Sequence, residues 1–169
     1  MADRQFPVVH WGDDQSTRAQ FCSETELPPA DLITACMVFA VTNDGTVVLS
    51  KPARGWGLVG GHREPGESPE DCARREAREE AAIELGDLEL IGHWATRKVF
   101  ESDANRHYPP LGYQLLYRAT ISRIDDFMPM LEVSDRAFVP LSDVSQYHHD
   151  FENFEDIMKY VQEVAEETT

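Results

Sequence analysis

Apolar and polar positions divide the chain into short apolar runs and two stretches of helical period. Thr34 to Val41 (TACMVFAV) is almost continuously apolar and rich in β-branched residues, which predicts a buried strand. Asn43-Asp44-Gly45 predicts a hairpin turn into TVVLS. GWGLVGG, Gly55 to Gly61, predicts a short strand entering a loop whose adjacent glycines let the backbone approach something closely. LELIGHWATRKVF and GYQLLYRATI predict two strands joined by the polar loop ESDANRHYPPL, placed to overhang a site, and RAFVPL predicts another strand. Phe151, Phe154, Met158, Val161 and Ala165 recur at steps of three and four, the pattern of an amphipathic C-terminal helix. At the other end the pattern is ambiguous: FPVVHW is compatible with a short strand, and ETELPPADL, with paired prolines, reads as a connector. The expectation is one mixed α and β domain over residues 1–169, with a core over about 32–166 and an N-terminal extension over 1–31.

One segment departs from ordinary patterning. GGHREPGESPEDCARREAREEAAIEL, Gly60 to Leu85, crowds carboxylates into a helical pattern. Ser68 is a good N-cap, Pro69 suits the first helical position, and Asp71 stands three residues after the cap, so a helix beginning at Pro69 is predicted. At about 100° per residue, Glu76, Glu79 and Glu80 share one face, and Cys72 and Ile83 fall in the same sector. Carboxylates mixed with apolar residues suggest a face turned toward the protein. Like charges at i and i+4, as in Glu76 with Glu80, cost a few tenths of a kcal/mol each. A hard divalent cation among them would reverse that sign, because Mg²⁺ takes oxygen ligands and keeps room for water or a substrate phosphate. A solvated helix laced by pairs such as Arg75 with Glu79 is the alternative left open by these residues alone.

Composition narrows the partners. The 169 residues carry a formal net charge of −16, which repels a nucleic-acid backbone or an anionic membrane surface, so neither is expected as a partner. A phosphate-bearing ligand would therefore need a local cation. Cys22, Cys36 and Cys72 are scattered and odd in number, with no C-x-x-C pair, which suits a reducing, cytoplasmic setting. No apolar run approaches a membrane span, and the N-terminus is too polar for a signal peptide.

Gly61, Glu67, Arg75, Glu76, Glu79, Glu80 and Ile83 stand at the spacing of G-x5-E-x7-R-E-U-x-E-E-x-G-U, with U aliphatic, and so resemble the box of the Nudix hydrolases, the MutT-like family. The resemblance implies an α/β fold, a Nudix-like α/β/α sandwich with a mixed β-sheet. It also implies cleavage of a nucleoside diphosphate linked to a group X, giving NMP and P-X, with Mg²⁺ or Mn²⁺ as cofactor and water attacking phosphorus. By position, Glu76, Glu79 and Glu80 would ligate metal together with the carbonyl of Gly60 or Gly61, and Arg75 and Glu67 would orient them. The base would be Glu79 or Glu80, with Glu101, Glu132 and Asp135 as candidates outside the box. Lys51, Arg54, Arg97 and Arg106 are candidate phosphate contacts. Trp56 and Tyr113 could stack on a base or pack in the core, and His148-His149 reads as a solvated pair. The partner would be a small nucleotide diphosphate, and a homodimer is compatible with this reading. A Nudix-fold module that binds a nucleotide without cleaving it is the alternative function.

The box departs from the pattern at Ala77, smaller than usual, and at Ala82, which stands where glycine is expected. Glycine there helps to end the helix, so alanine predicts a helix running on to Leu85, with Gly86 as the left-handed stop. The signatures associated with NADH and ADP-ribose pyrophosphatases are absent, leaving X open.

Overall fold

The computed structural model describes residues 4–130, 132–147 and 154–167. Phe151 and the His148-His149 pair therefore lie outside the described residues. Eight strands occur among the described residues: β1 (Val9–Trp11), β2 (Thr17–Cys22), β3 (Ile33–Val41), β4 (Thr46–Pro52), β5 (Gly57–His62), β6 (Ile83–Lys98), β7 (Leu111–Ile124) and β8 (Val133–Pro140). The helices are α1 (Pro69–Ala81), the short α2 (Val144–Tyr147) and α3 (Phe154–Glu167).

The strands form one mixed sheet in the order β1-β2-β6-β7-β3-β5-β4-β8. The central β3–β7 pair is parallel and the other pairings are antiparallel. The expected turn forms at Asn43–Gly45, where Gly45 takes φ 83° and Thr42 N–H donates to Thr46 O at 2.9 Å. Beyond Val41 and Val47 the two strands diverge and β5 enters between them. That insertion carries the glycine pair into the middle of the sheet. Thr17–Cys22, within the stretch read as an N-terminal extension, pairs with β6 from Thr17↔Lys98 to Cys22↔His93 and buries Ala19 and Phe21.

Helices cover both faces. On one, Cys72, Ala73, Ala77 and Ala81 of α1 pack on Cys36, Val38, Val59 and Leu115. Small side chains along this stripe let the helix lie close to the strands, which accounts for Ala77 and for the alanines spaced among the charges. On the other, Phe154, Ile157, Met158 and Val161 of α3 cover Phe39, Leu49, Leu58 and Trp94. This is the α/β/α sandwich expected.

The end of α1 corrects one expectation. The helix stops at Ala81, and Ala82 itself adopts the left-handed conformation, φ 50° and ψ 48°, with its N–H returning to the carbonyls of Ala77 and Arg78. Gly86 lies inside β6 and has no positive φ. Tertiary bonds impose the stop: Arg136 Nη1 donates to Ala81 O at 2.6 Å, and Asp125 N–H donates to Ala82 O at 2.9 Å, so strand β6 must begin at once. Left-handed geometry costs an alanine about 1–2 kcal/mol, of which glycine's greater unfolded-state freedom returns part. Ala82→Gly is therefore expected to stabilise the protein by about 0.5–1 kcal/mol, read as a higher urea midpoint at unchanged slope. A lower midpoint would contradict it.

Candidate active site

The site begins with the glycine pair at the end of β5. A side chain at Gly60 would stand 2.4 Å from Cys36 O and 2.7 Å from Met37 Cα, so β3 and β5 approach only because Cβ is missing. A side chain at Gly61 would stand 2.4 Å from Oε1 of Glu76. The first box glycine thus makes room for Glu76, the first of the three box carboxylates on the helix. Ser68 caps α1 as expected, accepting from Asp71 N–H at 3.1 Å, and this fixes the phase in which the glutamates emerge.

Arg75 organises the loop against the helix. Its Nε and Nη2 grip the two oxygens of Glu67 at 2.8 and 3.1 Å, while Nη2 also donates to His62 O at 2.9 Å. Its Nη1 donates to Glu76 at 2.8 Å and to Glu79 at 3.0 Å. Glu67 in turn accepts from Glu64 N–H at 2.9 Å, closing the loop. The bidentate pair holds the Glu67 carboxyl below its ordinary pKa.

The three helix carboxylates occupy different environments. Glu76 is 9% exposed, and burial raises its pKa against the pull of Arg75. Glu80, partly buried, accepts from Gly60 N–H at 3.0 Å and from the Ser50 hydroxyl at 3.1 Å, and burial raises its pKa too. No cation lies within ion-pair distance of Glu80 among the described residues. The Glu79 side chain is 55% exposed. Among the described residues no three Asp, Glu, His or Cys side chains surround one point, because Arg75 bridges Glu76 and Glu79 while Glu80 turns toward β4 and β5.

A cleft of about 240 Å³ opens over the glycine pair. Of the expected substrate contacts, Arg54 and Trp56 line it. Lys51 instead lies over the Trp56 ring, its ammonium 5.5 Å from the centroid. Arg97 sits opposite Arg18 on β2, and Arg106 pairs with Asp103 on the β6–β7 loop; neither lines the cleft. Tyr113 meets His93 edge-on and also lies outside it. The candidate outside bases are exposed and off the cleft: Glu101 faces Lys98 at 3.6 Å, Asp135 accepts from Arg136 N–H at 2.8 Å, and Glu132 immediately precedes β8.

Sequence reasoning missed Trp11, His62, Tyr108 and Gln114 as lining residues. It also missed Ser50 as a partner of Glu80 and Arg136 as the clamp on the end of α1. These residues come from separate segments of the chain, and no local pattern marks them. Only the Pro-containing loop gave a hint, since its expected overhang places Tyr108 in the lining.

Comparison with known proteins gives the same frame. The NUDIX domain model matches residues 31–159. The NAD-capped RNA hydrolase NudC of Pseudomonas entomophila is 33% identical over 88 residues, covering 50% of this chain and 30% of NudC. NudC of Pseudomonas putida F1 is 34% identical over 79 residues, covering 44% of this chain and 29% of that protein. The chain thus spans less than a third of the length of these relatives. Among solved structures, a point mutant of the Bacillus subtilis pyrophosphohydrolase BsRppH superposes with TM-score 0.69 at 19% identity, over 92% of this chain and 97% of that one. The NUDIX domain of Shewanella oneidensis NrtR complexed with ADP ribose superposes with TM-score 0.60 at 20% identity, over 79% and 88%. With the box residues, the sandwich fold and a family model matching most of its length, the chain belongs to the Nudix hydrolase family.

Proposed function

We propose that the protein is a divalent-metal-dependent pyrophosphohydrolase that cleaves a nucleoside diphosphate linked to a group X into NMP and P-X. The observation that carries this reading is Glu80, a partly buried carboxylate bound to a strand amide and a hydroxyl beside the glycine pair, with no countercharge within ion-pair distance among the described residues. A carboxylate in that setting is costly unless a cation joins it. The donors fit a hard cation, being carboxylate and carbonyl oxygens. Glu76, Glu80 and the carbonyl of Gly60 or Gly61 would hold Mg²⁺ or Mn²⁺, with Glu79 able to join them. The bound cation would lower the pKa of water and offset phosphate charge, which answers the −16 net charge.

The chain's own groups divide the remaining work. Arg75 and Glu67 hold the loop in register with the helix, so the glycine backbone and the carboxylates keep one geometry. Glu79, the most exposed of the three, is the residue best placed to take a proton from water. Arg54 at the rim would meet phosphate oxygens, and Trp56, packed edge-on against Tyr147, offers a ring to a base. The relatives' names support hydrolysis of nucleotide derivatives, and those named for NAD-capped RNA add a capped RNA 5′ end to the substrates worth testing.

The test is a panel of NDP-X compounds and NAD-capped RNA with Mg²⁺ or Mn²⁺, run on wild type and Glu79→Gln. Turnover of at least one compound is expected, falling about 10²–10⁴-fold in the variant while its metal-induced thermal shift persists. No turnover, or a fully active variant, would refute the reading.

A further inference from the structure

Beside the cleft lies a second cavity of about 200 Å³, close to the first in size. The two share a wall made of Trp11, Tyr108 and Gln114. The wall is built from distant segments and rigidly tied. Asn105, 3% exposed, donates to Phe100 O at 2.9 Å and across to Ser16 O at 3.2 Å, and accepts from Ser102 N–H at 2.9 Å. The Ser102 and Ser16 hydroxyls meet at 3.0 Å. Tyr108 N–H then donates to Asn105 O at 3.0 Å, and the Tyr108 hydroxyl reaches His62 Nε2 at 2.8 Å, next to the glycine pair. A buried amide with this many partners holds the loop in one position before any ligand arrives.

The cavity's chemistry suits a particular guest. Trp11, Tyr108 and Pro109 line it together with Arg97 and Lys98, so that aromatic rings and cations meet in one cavity of a chain whose net charge is −16. The Lys98 side chain is 13% exposed; its ammonium meets the exposed Glu101 at 3.6 Å and donates to Arg106 O at 3.5 Å. Ring faces beside cations recognise a planar heterocycle near phosphate. The geometry points to a second nucleoside subsite across Tyr108 from the glycine pair, so that the preferred substrates carry a nucleoside at each end of the phosphate bridge. This rests on the reading of the Gly60–Gly61 cleft as the hydrolytic site. Nucleoside triphosphates and simple nucleotide sugars would leave the second cavity empty of a heterocycle. Tyr108 is then a specificity residue, and Asn105 a positioning residue that acts through it.

The test compares two non-cleavable probes by titration calorimetry with Mg²⁺: a methylene-bridged dinucleoside diphosphate, and the methyl ester of the corresponding one-nucleoside compound, which has the same charge. Wild type should bind the first about tenfold more tightly, the size expected of one stacked base. Ala104→Trp, a loop position that lines the second cavity and not the cleft, should abolish that preference while leaving the one-nucleoside affinity within about twofold. Tyr108→Leu, which removes the ring between the two cavities, should reduce the preference in the same direction, guarding against a loop disturbed by the larger residue. Equal affinities in wild type, or a preference untouched by both variants, would overturn the proposal. Hydrolysis of the cleavable counterparts is followed in parallel. A variant-sensitive preference without turnover upholds the subsite and sinks the hydrolase reading, whereas turnover with equal affinities does the reverse.

Discussion

Glu80→Gln is expected to abolish most activity and at the same time to make the metal-free protein more stable. Glutamine keeps an acceptor for the Gly60 amide and the Ser50 hydroxyl but carries no charge into the site. Because burial raises the Glu80 pKa, the folded chain holds that proton more tightly than the unfolded chain. The corresponding stabilisation is complete in acid, below the ordinary carboxylate range, and is lost as pH rises through the folded value; at neutral pH the ionised group is a net cost. In EDTA at neutral pH the variant should therefore melt about 2–4 °C higher, for a gain near 1 kcal/mol, and the difference should vanish as the pH falls through the carboxylate range. Saturating Mg²⁺ should raise the melting temperature of wild type and leave the variant unmoved, since only a site that binds the ion is stabilised by it. Activity should fall about 10²–10⁴-fold. A variant less stable than wild type in EDTA would show that the Glu80 charge is already compensated within the fold.

Arg75→Ala should produce the largest loss of stability. One guanidinium bonds both oxygens of Glu67, the carboxylates of Glu76 and Glu79, and the carbonyl of His62. The Glu67 and Glu76 side chains are each only 12% exposed, so removing their partner leaves two carboxylates largely cut off from water. Breaking a buried pair in this way costs about 3–5 kcal/mol, which for a chain of this size lowers the melting temperature by roughly 10 °C or more. Arg75→Lys should recover less than half, because a single ammonium cannot span the fork. Divalent metal should restore part of the loss in Arg75→Ala, since the ion takes up the role of countercharge. A melting temperature within a degree or two of wild type would mean that the network is loosely held in solution.

Much of this site was legible before folding because its parts are local. Ser68, Pro69 and Asp71 set where α1 begins, and a helix begun there puts Cys72, Glu76 and Glu80 on the side facing the sheet by periodicity, while Glu79, expected on that same face, is 55% exposed at its edge. The run of β3, the turn at Gly45 and the glycine pair at the end of β5 were readable for the same reason. The end of α1 was misread because its cause is remote: Arg136, 54 residues from Ala82, and Asp125 claim the last carbonyls and force Ala82 into a conformation its side chain disfavours.

The substrate side divides in the same way. Arg54 and Trp56 line the cleft because they flank the strand that carries the glycines, whereas Lys51, Arg97 and Arg106 do not line it, because a cation's neighbours are set by strands that pair across the sheet. Thr17–Cys22 alternates too weakly to declare itself; pairing with β6 makes it a strand, and with it come Trp11 and Ser16, on which the second cavity depends. The family, the helix start and the face that bears the carboxylates are all written in the linear chain, because each follows from spacing within a few turns. Which carboxylate has no ion-pair partner among the described residues, which rings line the cleft and what lies across Tyr108 emerge only on folding, because those features depend on contacts between segments far apart in the chain.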